Sequence, residues 1–287
     1  TNYTGFVFRG NLDYGWVLDG ENQDSDYAGD NRTLEFSRSI NDVDGSRVFD
    51  ISGGLGFNAF AGDDEQYRIS PMFGFSYHRQ NLCMTNGNQR LWDLANYQVY
   101  DPGASGTVPL GPFPGLNSSY EATWSGLWLG VDVEMDLTAT SRVFARFEAH
   151  EVNYSAEANW NLRNDFAHPV SFTHDANGQG NVLTLGWRQM PELYRWRWGV
   201  TLSLQSWDTD PGTDRTFLAN GAVGVGNGFH VFACTLEDVV DIVITNFDIV
   251  EELAQIDACN FCAGSRPSAR GAFTSCFGFG FCLSLSH

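Results

Sequence analysis

The feature that most constrains this chain is an alternation of apolar and polar side chains with a period of two. It is first seen in the stretch "FVFRGNLDYGWVLD", residues 6–19. The apolar side is formed by Phe6, Phe8, Leu12, Tyr14, Trp16 and Leu18, and the polar side by Arg9, Asn11, Asp13 and Asp19. Successive side chains of a β-strand point to opposite faces, so the stretch predicts a strand with one aromatic-rich face and one charged face.

The same alternation recurs along the chain, in "RVFDISGGLGFNAF", "YRISPMFGFSYHRQNL", "SGLWLGVDVEMDL", "RVFARFEAH", "NVLTLGWRQ" and "RWRWGVTLSLQSW". Short connections at residues 61–65, 138–141 and 190–193 alternate with long polar ones at 19–47, 85–119, 161–180 and 208–221. Tight turns at one end and long loops at the other are typical of outer-membrane barrels. The pattern therefore predicts an all-β fold, an up-and-down antiparallel transmembrane β-barrel of about ten strands when complete.

The two faces of the predicted strands suggest different surroundings. Charged side chains crowd one face at Asp132, Glu134, Arg146, Glu148 and His150, as expected of a polar lumen. We expect the opposite face to meet lipid through Phe6, Leu12, Phe49, Leu55, Phe73, Leu129, Phe147, Leu185 and Leu202. A soluble antiparallel sandwich with a polar outer face has the same period and is the alternative.

One irregularity lies in the strand that begins near Arg142. Its apolar residues occupy odd positions as far as Ala149 and even positions from Val152 onward. One extra residue in the strand would produce this change of phase, so the sequence predicts a β-bulge at His150–Glu151.

The charge of the chain restricts its partners. It carries 35 acidic and 16 basic residues, a formal net charge of −19. Nucleic acid binding requires clustered basic side chains, so we do not expect a nucleic acid partner. A barrel of the predicted kind would instead contact outer-membrane lipid or lipopolysaccharide.

The C-terminal segment departs from the pattern. We predict a barrel over residues 1–221 and a separate segment of unclear structure over 222–287, for which a change of reading frame near Gly221 is one explanation. Residues 236–257 suggest an amphipathic helix, or a buried strand followed by a helix. Five of the six cysteines lie in this segment: Cys234, Cys259, Cys262, Cys276 and Cys282. Without a second C-x-x-C pair or nearby histidines, they do not predict a zinc site.

Several motifs resemble known families. The order of an acidic D-x-D loop, "YRISPMFGFSYHRQNL", "WSGLWLGVDVEMDL" and "EANWNLRNDFAHPVSFTHD" resembles the omptins, ten-stranded outer-membrane barrels with an endopeptidase at the extracellular rim. The segments "LDYGWVLDGENQDSDYAGDNRT", "FPGLNSSYEATWSGLWLG", "NWNLRNDFAHP" and "WDTDPGTDRTF" resemble more closely the bacterial barrels grouped with the Protochlamydia outer membrane protein. The resemblance covers about residues 5–221.

The omptin resemblance implies a catalytic site at the rim. Its acidic pair falls on Asp24 and Asp26, and its Asp and His dyad on Asp165 and His168, which together would activate a water molecule. Omptins place one residue between the dyad partners, whereas two intervene here, and His174 with Asp175 is a rival pair. The alternative is that Asp24 and Asp26 belong to a solvated acidic loop and His168 to a turn.

No cofactor is expected from the remaining motifs. "DANGQG", residues 175–180, places oxygen ligands at Asp175 and Asn177 like the start of a calcium loop, but no glutamate follows at the required spacing. "DTDPGTD", residues 208–214, has the same ambiguity. We therefore predict turns rich in Asp, Asn and Gly here, rather than metal sites.

Two functions remain open for a protein predicted to lie in the outer membrane of a Gram-negative-type bacterium. The first is an omptin-like endopeptidase whose acidic rim would attract basic peptides. The second is a non-catalytic barrel, either a small pore or a structural protein, with a charged lumen.

Overall fold

A computed structural model describes residues 5–29, 32–61, 66–189, 196–244, 272–276 and 282–286. Its elements are β1 (Phe6–Trp16), β2 (Glu21–Gly29), β3 (Thr33–Asp42), β4 (Arg47–Phe57), β5 (Ala59–Ala61), β6 (Tyr67–Trp92), α1 (Leu94–Tyr100), β7 (Gly111–Pro112), β8 (Asn117–Thr138), β9 (Ser141–Asn159), β10 (Phe172–Gln189), β11 (Trp196–Thr209), β12 (Gly212–Phe217), β13 (Val223–Ile244), β14 (Ala272–Cys276) and β15 (Cys282–Ser286). Within these ranges, no helix is long and apolar enough to cross a membrane.

The strands form one antiparallel sheet in the order β1-β4-β6-β8-β9-β10-β11-β13-β15-β14. From β1 to β13 the strands of this path follow one another in chain order, which confirms the predicted up-and-down topology, and β15 then lies between β13 and β14. The sheet curls on itself, because Arg9 of β1 reaches Asp132 of β8 and Glu148 of β9, three and four strands away. The fold is an all-β barrel of the predicted class.

The sheet also continues beyond Gly221, where the sequence pattern predicted the barrel to end. β13 begins at Val223 and pairs with β11 and β12. Of the two alternatives for residues 236–257, the structure has the strand as far as Ile244, and the remainder lies outside the described residues. Of the cysteines in this segment, Cys259 and Cys262 also lie outside them.

An outward-facing apolar band surrounds the half of the barrel that ends in short turns. Most of the predicted lipid-facing side chains are exposed on the outer surface: Phe6, Leu12, Leu55, Phe73, Leu129, Phe147 and Leu185. Phe49 and Leu202 are half-buried, and Phe49 packs against the rings of Tyr14 and Tyr77. In water such a surface would be strongly unfavourable, so it marks the membrane-spanning part of the strands.

Beyond this band the strands extend out of the membrane, and the apolar face changes side. The predicted bulge at His150–Glu151 is wrong, because β9 pairs with β8 and β10 in unbroken register through these residues. Phe147 points outward to lipid, whereas Val152 and Tyr154 point inward and are buried. The alternation along β9 is therefore regular. What changes is the environment of its outer face, which is lipid in the membrane-spanning half and water in the extension.

The extension is held together by an apolar interior. Trp124, Tyr154, Trp207, Phe229 and Val231 are among its buried side chains. A fully buried side chain of this size contributes about 1.5–3 kcal/mol. This interior fixes the strands that carry the long loops of the rim.

Candidate functional site

The acidic pair of the rim lies on the hairpin of β2 and β3. Asp24 is opposite Ser39 and Asp26 is opposite Ser37, so both carboxylates project from the same face of β2. Burial raises the pKa of Asp24 to about 8, with a further rise from Asp26 and a decrease from the nearby Arg163 guanidinium. Burial likewise raises the pKa of Asp26 to about 6, against the opposing effect of Arg163. Near neutral pH the pair therefore carries about one negative charge.

The second predicted half of the site lies in the loop between β9 and β10. Arg163 donates from Nε and Nη2 to the two carboxylate oxygens of Asp165, at 2.9 and 2.8 Å. This hydrogen-bonded pair lowers the pKa of Asp165. Nδ1 of His168 lies 2.8 Å from Oδ1 of Asn159. Asp165 and His168 thus each have a different partner, and the described hydrogen bonds and ion pairs do not join them.

Arg163 connects the two halves of the rim electrostatically. Its charge opposes the rise in the pKa of Asp24 and Asp26, and the pKa of Arg163 is raised by its hydrogen bond to Asp165 and to a smaller extent by Asp26. The structure thus brings the predicted acidic pair and the Asp165 loop to the same region of the rim, with an arginine between them. The sequence pattern showed this arginine only as the residue two positions before Asp165.

The rival pair His174 and Asp175 does not form a dyad. The two residues are consecutive on β10, so their side chains point to opposite faces. His174 is buried, with Nδ1 3.0 Å from the Tyr120 hydroxyl and Nε2 3.5 Å from Oδ1 of Asp214. Asp175 faces outward and accepts a hydrogen bond from Nη1 of Arg215 at 2.7 Å.

His174 belongs to a polar network inside the extension. The hydroxyls of Tyr120 and Tyr154 lie 2.6 Å apart, and the ring of Phe229 stacks on His174 with centroids 3.9 Å apart. Burial lowers the pKa of His174, although Asp214 opposes this effect. The network is enclosed by protein and therefore stabilises the extension rather than presenting a reactive group to solvent.

The turn predicted at residues 175–180 is wrong, because this segment is part of a strand. Asp175 and Asn177 lie within β10, in regular pairing with β9, so no calcium-binding loop is formed there. Throughout the residues that the structure describes, no group of three or more His, Cys, Asp or Glu side chains is arranged to hold a metal ion.

The five charged residues of the predicted lumen point into the barrel and form ion pairs. Asp132 accepts a hydrogen bond from Arg9 at 3.0 Å and lies 3.7 Å from Nε of Arg146. Glu148 accepts from Arg9 at 2.6 Å and lies 3.1 Å from Nε2 of His150. These contacts balance the charges of both signs within the barrel.

Glu134 completes the charged wall toward the short turns. It pairs with Arg68 of β6 at 2.9 Å and with Arg142 of β9 at 3.0 Å. The alternation placed Arg9 on a polar face, but it did not identify Arg9, Arg68 or Arg142 as partners of the lumen acids. Their position on the polar face of an alternating strand was the signal that could have found them.

An aromatic layer lies between the charged lumen and the apolar interior of the extension. The ring of Trp207 lies 4.9 Å from His78 and 4.9 Å from His150, measured between centroids. The ring of Trp128 lies 6.2 Å from His150, and its Nε1 donates to Ser52 at 3.1 Å. These side chains come from β6, β8, β9 and β11, so the layer crosses the barrel and narrows it.

With this geometry established, the sequence was compared with known proteins. It matches the family model Pom, Protochlamydia outer membrane protein, over residues 2–231. The chain belongs to this family. It is accordingly an outer-membrane protein of a Gram-negative-type bacterium, in agreement with its lipid-facing band. A comparison with curated proteins gave no significant match.

Among solved structures, the chain is similar to the crystal structure of the outer membrane protease OmpT from Escherichia coli. The two share 9% sequence identity with a TM-score of 0.53, over 83% of this chain and 95% of that chain. At this identity the likeness shows the fold alone. It supports the omptin-like barrel architecture and carries no information on activity.

Proposed function

We propose that the protein is a small outer-membrane pore whose charged lumen admits inorganic ions and other small solutes. The supporting observation is that the charged side chains inside the membrane-spanning half remain accessible to water. The solvent-exposed fractions of the Arg9, Asp132 and Glu148 side chains are 17, 16 and 15%. In a barrel surrounded by lipid, this exposure is to water within the lumen.

The energetics of charge burial support the same function. Moving a charged group out of water into a low-dielectric interior costs several kcal/mol, even when the charge is paired. A barrel with a purely structural role could fill this volume with apolar side chains. The membrane-spanning half instead contains at least four arginines and four acids: Arg9, Arg68, Arg142, Arg146, Asp132, Glu134, Asp136 and Glu148. Hydration of the lumen would lower the free-energy cost of these charges.

The aromatic layer limits what such a pore would pass. Trp128, His150 and Trp207 are buried, and they approach one another across the barrel interior. Large solutes would have to displace these rings. The proposed substrates are therefore inorganic ions and solutes of only a few heavy atoms.

Liposome swelling tests this function. Liposomes containing the refolded full chain are diluted into isosmotic glycerol or into an isosmotic trisaccharide. Rapid swelling in glycerol and none in the trisaccharide is expected of the small pore. Equal swelling rates with and without protein, while the protein is shown to be folded, would favour a structural role.

A second function, that of an omptin-like endopeptidase, is favoured by the juxtaposition at the rim. The raised pKa values of Asp24 and Asp26 and the nearby Asp165 loop resemble parts of a water-activating site. Against it, Asp165 binds Arg163 through both oxygens, and the His168 ring is directed to Asn159. The general base would therefore lack its orienting carboxylate.

Cleavage of basic peptides by the lipid-reconstituted protein tests the second function. His168→Ala should lower the rate by at least about 100-fold if His168 is the general base. The same substitution at His230, which bonds to the Thr209 carbonyl, is the matched control. An absence of cleavage by the wild-type chain, or equal rates for the two variants, would reject this site.

A further inference from the structure

Among the lumen arginines whose side chains the structure describes, Arg9 makes a contact that the others do not. It lies on β1, and its guanidinium donates to Asp132 of β8 at 3.0 Å and to Glu148 of β9 at 2.6 Å. Strands β4 and β6 separate β1 from β8 in the sheet. The side chain therefore extends across the barrel rather than along its wall.

The other lumen ion pairs described above join neighbouring strands. Arg68 and Glu134 lie on β6 and β8, which pair directly, as do β8 and β9, which carry Glu134 and Arg142. Arg146 and Asp132 also lie on β9 and β8. These pairs follow the wall of the barrel.

The position of Arg9 is fixed from three sides. Besides its two carboxylate partners, its guanidinium lies 5.0 Å from the centroid of the Trp128 ring, a cation–π contact. Trp128 is itself held by its hydrogen bond to Ser52 of β4. The arginine thus connects the charged lumen with the side of the aromatic layer that faces the membrane-spanning half.

We infer that Arg9 forms a second constriction of the proposed pore, next to the aromatic layer, because its charged side chain crosses the lumen. This inference rests on the pore function proposed above. Removing the guanidinium would leave Asp132 with Arg146 and Glu148 with His150, so both acids keep a partner on the wall. The wall would remain while the crossing contact is lost.

The test is the conductance of planar bilayers containing the full chain, its Arg9→Ala variant or its Arg68→Ala variant. Both variants remove one positive charge from the lumen, but only Arg9→Ala removes a crossing contact. Arg9→Ala should raise the single-channel conductance by roughly twofold or more, because a confined charged group blocks part of the path of the ions. Arg68→Ala, which removes the same charge from the wall of the lumen, should raise the conductance less than Arg9→Ala does.

A lysine variant separates charge from geometry. Arg9→Lys keeps the positive charge but lacks the planar fork that contacts two carboxylates at once. Its conductance should fall between those of the wild type and Arg9→Ala, with the same ion selectivity as the wild type. Heat-modifiable migration on gels shows that each variant forms a folded barrel.

The outcomes distinguish the two proposals. If the wild type conducts and the two alanine variants conduct equally, the role of Arg9 is rejected and the pore function stands. If the wild type is silent and only Arg9→Ala conducts, Arg9 does cross the lumen, and the wild-type protein is a closed barrel. If all folded forms are silent, both proposals are rejected.

Discussion

The indole ring of Trp128 on β8 lies against the backbone of Gly54 on β4. A Cβ atom added at Gly54 would overlap the ring carbons of Trp128. Gly54 is buried, and the neighbouring Gly53 has no other atom within 4 Å of the position that its Cβ would take. The glycine thus provides the space for the tryptophan inside the barrel.

The first prediction concerns this pair. Gly54→Ala should lower the free energy of unfolding by about 1–3 kcal/mol, the usual cost of overpacking. The matched control is Gly53→Ala, which adds the same methyl group one residue away on the open side of the strand. Urea unfolding in detergent, followed by tryptophan fluorescence, measures both. Equal effects of the two substitutions would contradict the described packing of Trp128.

The second prediction concerns the pH dependence of the β2–β3 hairpin. Because the pKa of Asp24 is raised to about 8, the folded hairpin keeps a proton that the unfolded chain releases near the usual value of about 3.9. The stability of the hairpin should therefore fall as the pH rises from about 4 to 8. Asp24→Asn should remove most of this decrease, because the amide is neutral throughout the range.

Hydrogen exchange of the hairpin amides, corrected for intrinsic rates, measures this effect. Asp44→Asn, in the exposed turn between β3 and β4, is the control and should behave as the wild type does. A hairpin whose protection increases with pH, or an unchanged profile in Asp24→Asn, would show that Asp24 is ionised in the folded state.

The third prediction concerns His174, whose pKa is lowered by burial. The folded state then binds fewer protons than the unfolded state, so stability is present above about pH 6.5 and is lost as the pH falls below this value. His174→Gln should cost about 1–3 kcal/mol at pH 8, through the lost ring stacking and hydrogen bonding. It should also reduce the loss of stability between pH 7 and 5.

The exposed His168 provides the control for this measurement. His168→Gln should keep both the stability at pH 8 and the pH dependence of the wild type, as measured by denaturant unfolding at each pH. If His174→Gln keeps the full pH dependence, another group is responsible for it.

The alternation was sufficient to predict the membrane-spanning strands as far as β11, but it missed β2, β3 and β12 within the predicted long connections. It also could not identify the solvent on each side of the strands. The lipid-facing Phe147 and the core residue Tyr154 belong to one regular strand. Their change of phase was interpreted as a bulge because hydrophobicity alone does not distinguish lipid from a protein interior. A change of phase midway along a long strand is the pattern that marks where such a barrel leaves the membrane.

The rim was less predictable from the sequence because its loops are arranged by contacts between distant residues. The spacing of Asp165 and His168 gave no information on Arg163, which binds Asp165 and acts electrostatically on Asp24 and Asp26. Likewise, the glycine-rich start of β13 has weak alternation, although Phe229 and Val231 are buried in the interior of the extension. The secondary structure of such segments is determined by their pairing with neighbouring strands rather than by their own sequence pattern.

The central claim is that small ions cross the charged lumen and pass the aromatic layer, and single-channel recording of the wild-type chain tests it most directly. The refolded full-length protein in planar bilayers should give discrete current steps in potassium chloride. Replacing chloride or potassium by a large organic ion should strongly reduce them. A folded barrel that inserts into the bilayer and gives no steps, whichever ions are present, would contradict the claim.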